Sequence, residues 1–255
     1  MNFFPILSLR NAGLVSLSLV LWAGGPPCAR ANPAGGSVVQ GTAAFNTSGS
    51  QLTVQTSDHA YINWQSFNIG AGETTTFVQP SSSSVVWNQI HDSNASQILG
   101  SLNANGFVVL QNQAGIYVGG QASISTHGLI LTTTPTPMPD LSSGGAWSFN
   151  APPPAARIVN YGQINIAGGG PAFLIANNIE NHGTITAPGG TIGLCAGQTV
   201  LVSTSPDGRG LSAQVTLPQG SVDNEGHLIA DAGTIMAQAR IVNQNGFVQA
   251  NSVRN

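Results

Sequence analysis

Two acids near the C-terminal end alternate around an asparagine, Asp223-Asn224-Glu225, and could share one face with Asp231 or Asp207. Paired carboxylates at a fixed separation are what a glycosidase needs for acid and base work on a sugar bond. The plainer reading is a solvated acidic face, and we take it, because fold analogy alone does not license an activity. The five histidines, His59, His91, His127, His182 and His227, show no metal-ligand spacing with cysteine or carboxylate, so no metal is expected. Cys195 lies in the apolar run Ile192-Gly-Leu194-Cys195 without an evident histidine partner, which suits a buried small residue rather than a nucleophile. Gly168-Gly-Gly170 is followed by Pro171 and by no lysine, so it is not a phosphate cradle. Trp64, Phe67, Phe77 and Trp87 read as packing residues rather than a carbohydrate platform. Neither a catalytic group nor a cofactor is expected.

What positions these residues is a repeat. Ile158-Val-Asn160-Tyr-Gly162-Gln-Ile164 returns as Ile179-Glu-Asn181-His-Gly183-Thr-Ile185, as Val222-Asp-Asn224-Glu-Gly226-His-Leu228, and loosely as Ile241-Val-Asn243-Gln-Asn245-Gly246-Phe247. The Asn-to-Asn steps are 21, 43 and 19 residues, so the period is about 20 and one coil is missing near residue 202. Val200-Leu-Val202 reads as the strand of that coil, and Pro206-Asp207-Gly208 as an inserted turn. Apolar residues recur two before and four after each Asn, which makes a continuous core when coils stack. The Asn is read as a turn former that tolerates left-handed backbone, and its amide as a rung of a ladder between coils. The Gly two residues on is read as relief of the Cβ penalty at a second turn. The predicted structural ladder is Asn160, Gly162, Asn181, Gly183, Asn224, Gly226 and Asn243.

Strand signals extend this organisation toward the N-terminus at Leu52-Thr-Val54, Thr76-Phe77-Val78, Phe107-Val-Val-Leu110 and Gly128-Leu-Ile-Leu131. No stretch after residue 31 shows a sustained helical period. Residues 135–154 hold six prolines, which cannot donate into a ladder, so that segment is read as an excursion from the stack. Residues 155–255 then carry the repeats. Residues 32–255 would give about eleven coils and a rod of roughly 50 Å at strand spacing. Residues 37–65 are expected to cap its first edge, since exposed edges invite pairing. Val253-Arg254-Asn255 resembles the beginning of another unit, so the chain reads as the front piece, or a truncated copy, of something longer.

Composition bounds the partners. Of 255 residues, 41% are hydrophobic and 6% charged, and there is no lysine. Arg10, the apolar run Leu14 to Ala23 and the Ala29-Arg30-Ala31 site order themselves as an export signal over residues 1–31. Its removal leaves four arginines against nine acids, a formal charge of −5, and one cysteine, which cannot pair internally. Such a chain is no nucleic-acid binder, because phosphate neutralisation needs a basic patch. Nor is it an integral membrane protein, since the apolar run is too short to span a bilayer.

One block carries a resemblance. Ser37-Val-Val-Gln-Gly41, Tyr61-Ile-Asn-Trp64-Gln-Ser-Phe67-Asn-Ile-Gly70, Glu73-Thr-Thr-Thr-Phe77-Val-Gln-Pro80, Ser96-Gln-Ile-Leu-Gly100-Ser-Leu-Asn-Ala-Asn-Gly106 and Asn112-Gln-Ala-Gly115-Ile-Tyr-Val-Gly119 follow in that order. They resemble the N-terminal secretion domain of filamentous haemagglutinin-like two-partner secretion exoproteins, over residues 32–134 with the coils continuing it. The resemblance implies an all-β, right-handed parallel β-helix with an N-terminal β cap. It implies export to the periplasm of a Gram-negative-type bacterium, recognition by a dedicated outer-membrane β-barrel transporter, and folding outside the cell. It also implies a haemagglutinin- or adhesin-like role toward host or neighbouring-cell surface glycans. The family typically carries Asn-Pro-Asn-Gly where this chain has Asn112, Gln113, Ala114 and Gly115, keeping the first Asn and the Gly. That turn is the implied transporter-recognition motif. Two other readings stay open on the residues alone: a secreted β-helical enzyme acting on polysaccharide through Asp223 and Glu225, and a non-functional fragment of a longer exoprotein.

Overall fold

The computed structural model describes residues 32–137, 140–141, 146–150, 154–205 and 210–251. The export signal, Asp207 and the terminal Val253-Arg254-Asn255 lie outside the described residues. The described residues are strands, turns and bends with no helix, and they stack as a parallel β-helix.

Each coil contributes one strand to each of three sheets. Sheet I orders Ser37–Gln40, Ala60–Trp64, Val85–Ile90, Phe107–Asn112, Gly128–Thr132, Ala172–Ile175, Thr191–Cys195 and Thr234–Gln238. Sheet II begins with Ala43–Ser48 and Gln51–Thr56 and runs through Thr74–Val78, Ser101–Ala104 and Ser123–Thr126. It continues as Gln163–Ile166, Thr184–Thr186, His227–Ile229 and Phe247–Gln249. Sheet III orders Ser96–Ile98, Ile116–Val118, Arg157–Asn160, Asn178–Asn181, Ser221–Asn224 and Ile241–Gln244. All pairings within the stack are parallel except at its first edge.

At that edge Ser37–Gln40 and Ala43–Ser48 reverse and pair antiparallel with the first coil. Phe45 of the second cap strand packs edge-on against Trp64 at 5.4 Å. Backbone groups that would otherwise offer a template for pairing are therefore covered. The four strand signals read from the sequence all fall inside strands of sheets I and II.

The interior is apolar and continuous. Leu110, Leu131, Leu174 and Leu194 are buried at paired positions of adjacent rungs, and so are Ile158, Ile179 and Val222. Each such side chain, fully buried, contributes about 1.5–3 kcal/mol relative to exposure. Trp64, Phe67 and Phe77 fill the first coils of this core.

Sheet I is buried on its other face as well. Trp147–Phe149, Gly197–Thr204 and Leu211–Pro218 form a separate antiparallel sheet. Under this cover lie Tyr61, Trp87, Phe107, Phe173 and Cys195 in a second core with Trp147, Phe149 and Val202. Trp147 and Phe149 both pack against Trp87. Burial pushes the Tyr61 phenol and the Cys195 thiol each up to about 12.

The cover corrects two expectations. Val200-Leu-Val202 is not the strand of a missing coil; it pairs antiparallel with Trp147–Phe149 and Leu211–Pro218 outside the stack. The 43-residue step is one coil plus a hairpin, because Asn178–Asn181 pairs directly with Ser221–Asn224. Gln219 N donates to Ala196 O at 3.0 Å, so the two ends of the hairpin meet and the coil closes across it. Residues spent on the cover are lost to the stack. Sheet II, the longest ladder, has eight parallel rungs rather than eleven, a rise of about 34 Å at strand spacing.

Candidate functional site

Two constructions were singled out by the sequence: the asparagine ladder and the Asn112–Gly115 turn. The ladder runs inside sheet III. Asn160 Nδ2 donates to Asn181 Oδ1 at 2.8 Å, and Asn181 Nδ2 donates to Asn224 Oδ1 at 2.7 Å. Asn224 Nδ2 then donates to Gln244 Oε1 at 3.0 Å. The three asparagines are buried, and each occupies the last position of its strand with its backbone extended, not left-handed. Their carbonyls accept from the next coil, as Asn181 O does from Glu225 N and Gly226 N, both at 2.8 Å.

The fourth rung differs from expectation. Asn243 pairs in register with Asp223, and Gln244 takes the ladder position. The apolar slots of that coil are accordingly Val242 and Val248, not Ile241 and Phe247. The glycines explain the shift. A Cβ on Gly183 would sit 2.2 Å from Gly162 O, on Gly226 2.0 Å from Gly183 O, and on Gly246 2.1 Å from Gly226 O. None of the four, Gly162 included, has a left-handed φ. They are required by the close approach of consecutive coils, and the last coil aligns on Gly246 because that clearance is stricter than the identity of the amide.

The turn Asn112–Gly115 carries the chain from sheet I to sheet III. Asn112 is buried; its Nδ2 donates to Asn94 O at 3.1 Å and to Ser96 Oγ at 2.9 Å, and its Oδ1 accepts from Ala114 N at 2.9 Å. Gly115 N donates to Asn112 O at 3.1 Å, and Ser96 N donates to Gly115 O at 3.0 Å. Gly115 has φ 120°, a conformation that disfavours side chains. Gln113 is exposed and Ala114 half-buried. The two residues kept from the motif are the anchors, and the two that differ are its outward members.

The candidate carboxylates do not converge. Asn224, between Asp223 and Glu225, is buried, and Glu225 Oε2 lies 3.0 Å from His182 Nδ1. Asp231 is engaged from another corner by Gln249 Nε2 at 2.8 and 2.9 Å and by Asn251 N at 3.2 Å. His182 stacks on Tyr161 with ring centroids 4.6 Å apart, and Arg157 pairs with Glu180 at 2.8 Å, so the outer face of sheet III is a lattice of surface contacts. No group of three or more His, Cys, Asp or Glu among the described residues could hold a metal ion.

The sequence did not indicate a cleft of about 330 Å³ beside the cover sheet, where His59 and His127 meet Phe107 and Trp147. Its walls come from loops far apart in the chain, so no local spacing announces it.

Comparison with known proteins is consistent across methods. Residues 29–255 match the family model described as the TPS secretion domain. A heme/hemopexin-binding protein of Haemophilus influenzae (strain Rd) is 33% identical over 223 residues, 85% of this chain and 24% of that protein. A second heme/hemopexin-binding protein of Haemophilus influenzae is 42% identical over 88 residues, 34% of this chain and 10% of that protein. The chain thus spans about a quarter, or less, of these relatives. The crystal structure of the HMW1 secretion domain from Haemophilus influenzae superposes with a TM-score of 0.79 at 32% identity, covering 88% of this chain and 60% of that one. That of the filamentous hemagglutinin secretion domain gives a TM-score of 0.51 at 14% identity, over 84% and 98%, a likeness of fold.

Proposed function

The chain belongs to the TPS secretion-domain family, and from that premise we propose that it is the segment by which an adhesin-like exoprotein is recognised by a two-partner β-barrel transporter in the outer membrane. It crosses unfolded and becomes the β-helix outside a Gram-negative-type cell. The observation that carries this reading is the family match over residues 29–255, which takes in cap, turn and coils together. The physical character of the chain supports it. Charges are few, and Cys195 is the single cysteine after residue 31, so no disulfide obstructs passage. Each coil hydrogen-bonds to the one before it, so folding can begin at the capped end and propagate coil by coil. The first contact with the transporter is strand addition to extended chain. The turn anchored by Asn112 and Gly115 is its recognition element. In this reading the mature exoprotein displays the rod at the cell surface, toward host or neighbouring-cell glycans, and carries no catalytic group.

The test is export with and without a cognate two-partner barrel, following the chain in medium and periplasm. The expected result is appearance in the medium only when the barrel is present, and its loss in Asn112→Ala while Gln113→Ser is still exported. Release that does not depend on the barrel would overturn the reading.

A further inference from the structure

The cleft beside the cover sheet has a composition that selects a ligand. Its floor is apolar and aromatic: Val85, Phe107, Leu141 and Trp147. Its rim is polar and neutral: His59, His127, Ser82 and Ser83. None of the described residues lining it is Asp, Glu, Lys or Arg. Small-molecule sites combine an apolar lining with a few placed polar groups in this way.

Three features mark the cleft as built rather than left over. His59 is one of three non-glycine residues with left-handed backbone among the described residues, at φ 54°. Its place is fixed from both sides: Asp58 Oδ1 accepts from His59 N at 2.8 Å and from Val85 N at 2.9 Å, and Gln40 Nε2 donates to His59 O at 3.2 Å. The ring itself lies with Nδ1 3.5 Å from Asp58 Oδ2. Non-glycine residues held in such backbone regions concentrate at ligand clamps. On the opposite rim, His127 has its room because two neighbours lack side chains. A Cβ on Gly168 would lie 2.2 Å from His127 Cε1, and one on Gly170 would lie 1.6 Å from His127 O. In the floor, the buried indole Nε1 of Trp147 has no acceptor among the described residues. A buried donor without a partner is uncommon and calls for one.

We propose that this cleft binds a single neutral pyranose unit of a glycan. The apolar face of the sugar ring stacks on Phe107 and Trp147, as amphipathic rings do on aromatic walls. Its hydroxyls bond to the two imidazoles and two serines, and one reaching the floor supplies the acceptor that the Trp147 N–H lacks. The missing charge excludes uronic and sialic acids, nucleotides and phospholipid headgroups, whose ionised groups would enter unpaired. A purely aromatic ligand would leave the imidazoles and serines of the rim unused. The proposal rests on the surface-glycan reading for its biological use, but the binding is a property of the folded chain alone.

The experiment is an NMR titration of the purified chain, free of any transporter, so that a failure of export leaves it untouched. The probes are methyl β-D-galactopyranoside and methyl β-D-glucopyranoside, with D-glucuronate as charged control and indole as apolar control. Saturable shifts at the Ser82 and Ser83 amides and the Leu141 and Leu211 methyls are expected with at least one hexoside and not with glucuronate. Ser83→Trp, at an exposed rim position, is expected to abolish them. His59→Asn, which keeps the left-handed backbone and removes the imidazole, is expected to weaken binding about tenfold. No saturable shift with either hexoside, binding indifferent to Ser83→Trp, or saturation by indole alone would overturn the proposal.

Discussion

The two faces of sheet I are both buried, yet by different devices. Its inner face belongs to the stack, where every strand pairs in parallel with the strand one coil later. Its outer face is covered by strands from two insertions, Trp147–Phe149 and the hairpin Gly197–Thr204 with Leu211–Pro218, joined antiparallel across some fifty residues of chain. The stack is held by repetition and close approach. The cover is held by aromatic bulk: Trp87, Phe107, Trp147 and Phe149 pack with ring centroids 5.2 to 6.3 Å apart. Damage to the stack should therefore propagate, whereas damage to the cover should stay local.

The strongest test is Gly226→Val. Its Cβ would meet Gly183 O at 2.0 Å, a backbone atom that cannot swing aside, so the coils must part. A loss of more than about 4 kcal/mol is expected, read as a lower midpoint in urea followed by far-ultraviolet circular dichroism. Trp147→Ala should cost about 3–5 kcal/mol for the cover. Near-ultraviolet dichroism and dye binding should report exposed aromatics while the far-ultraviolet signal of the stack persists; joint melting of both would end the distinction. Asn181→Ala orphans the Asn160 donor and the Asn224 acceptor, each worth about 1–3 kcal/mol. Hydrogen exchange should accelerate in sheet III and leave the cap protected.

The smallest effect is alkaline. Tyr61 and Cys195 both lie under the cover with pKa values raised to about 12, from 10.0 and 9.0. Raised acids favour the fold while neutral, so their contribution is complete below about pH 9 and is lost as pH climbs toward 12. A thiol reagent at pH 8 should therefore leave Cys195 untouched in the folded chain and label it in urea. Prompt labelling without urea would mean the cover opens readily.

The same contrast explains what was legible beforehand. The stack could be read because Ile158, Ile179 and Val222 recur with Asn and Gly at fixed offsets, and periodic burial leaves a periodic trace. The last rung was misread because Asn243 and Asn245 flank Gln244, so residue type pointed one place off. The reliable ruler was Gly246, whose spacing from Gly226 is set by backbone clearance. The cover left no trace, since antiparallel partners from separate insertions share no period, and Val200–Val202 looks as apolar as any coil strand. The Asn112 turn was visible through its motif, but which of its members point outward depends on burial that the motif does not encode. The cleft was invisible for a related reason: His59, Ser83, His127 and Gly168 meet through folding alone.

The bond between Gln219 N and Ala196 O has a wider meaning. The main rod is already whole at that junction, so whatever is threaded between these two residues is passenger rather than chassis. A shorter loop, a foreign epitope or a small domain with neighbouring termini could be grafted there without altering the height of the rod. Lineages carrying this architecture can thus vary their flank freely while the coils beneath remain the same.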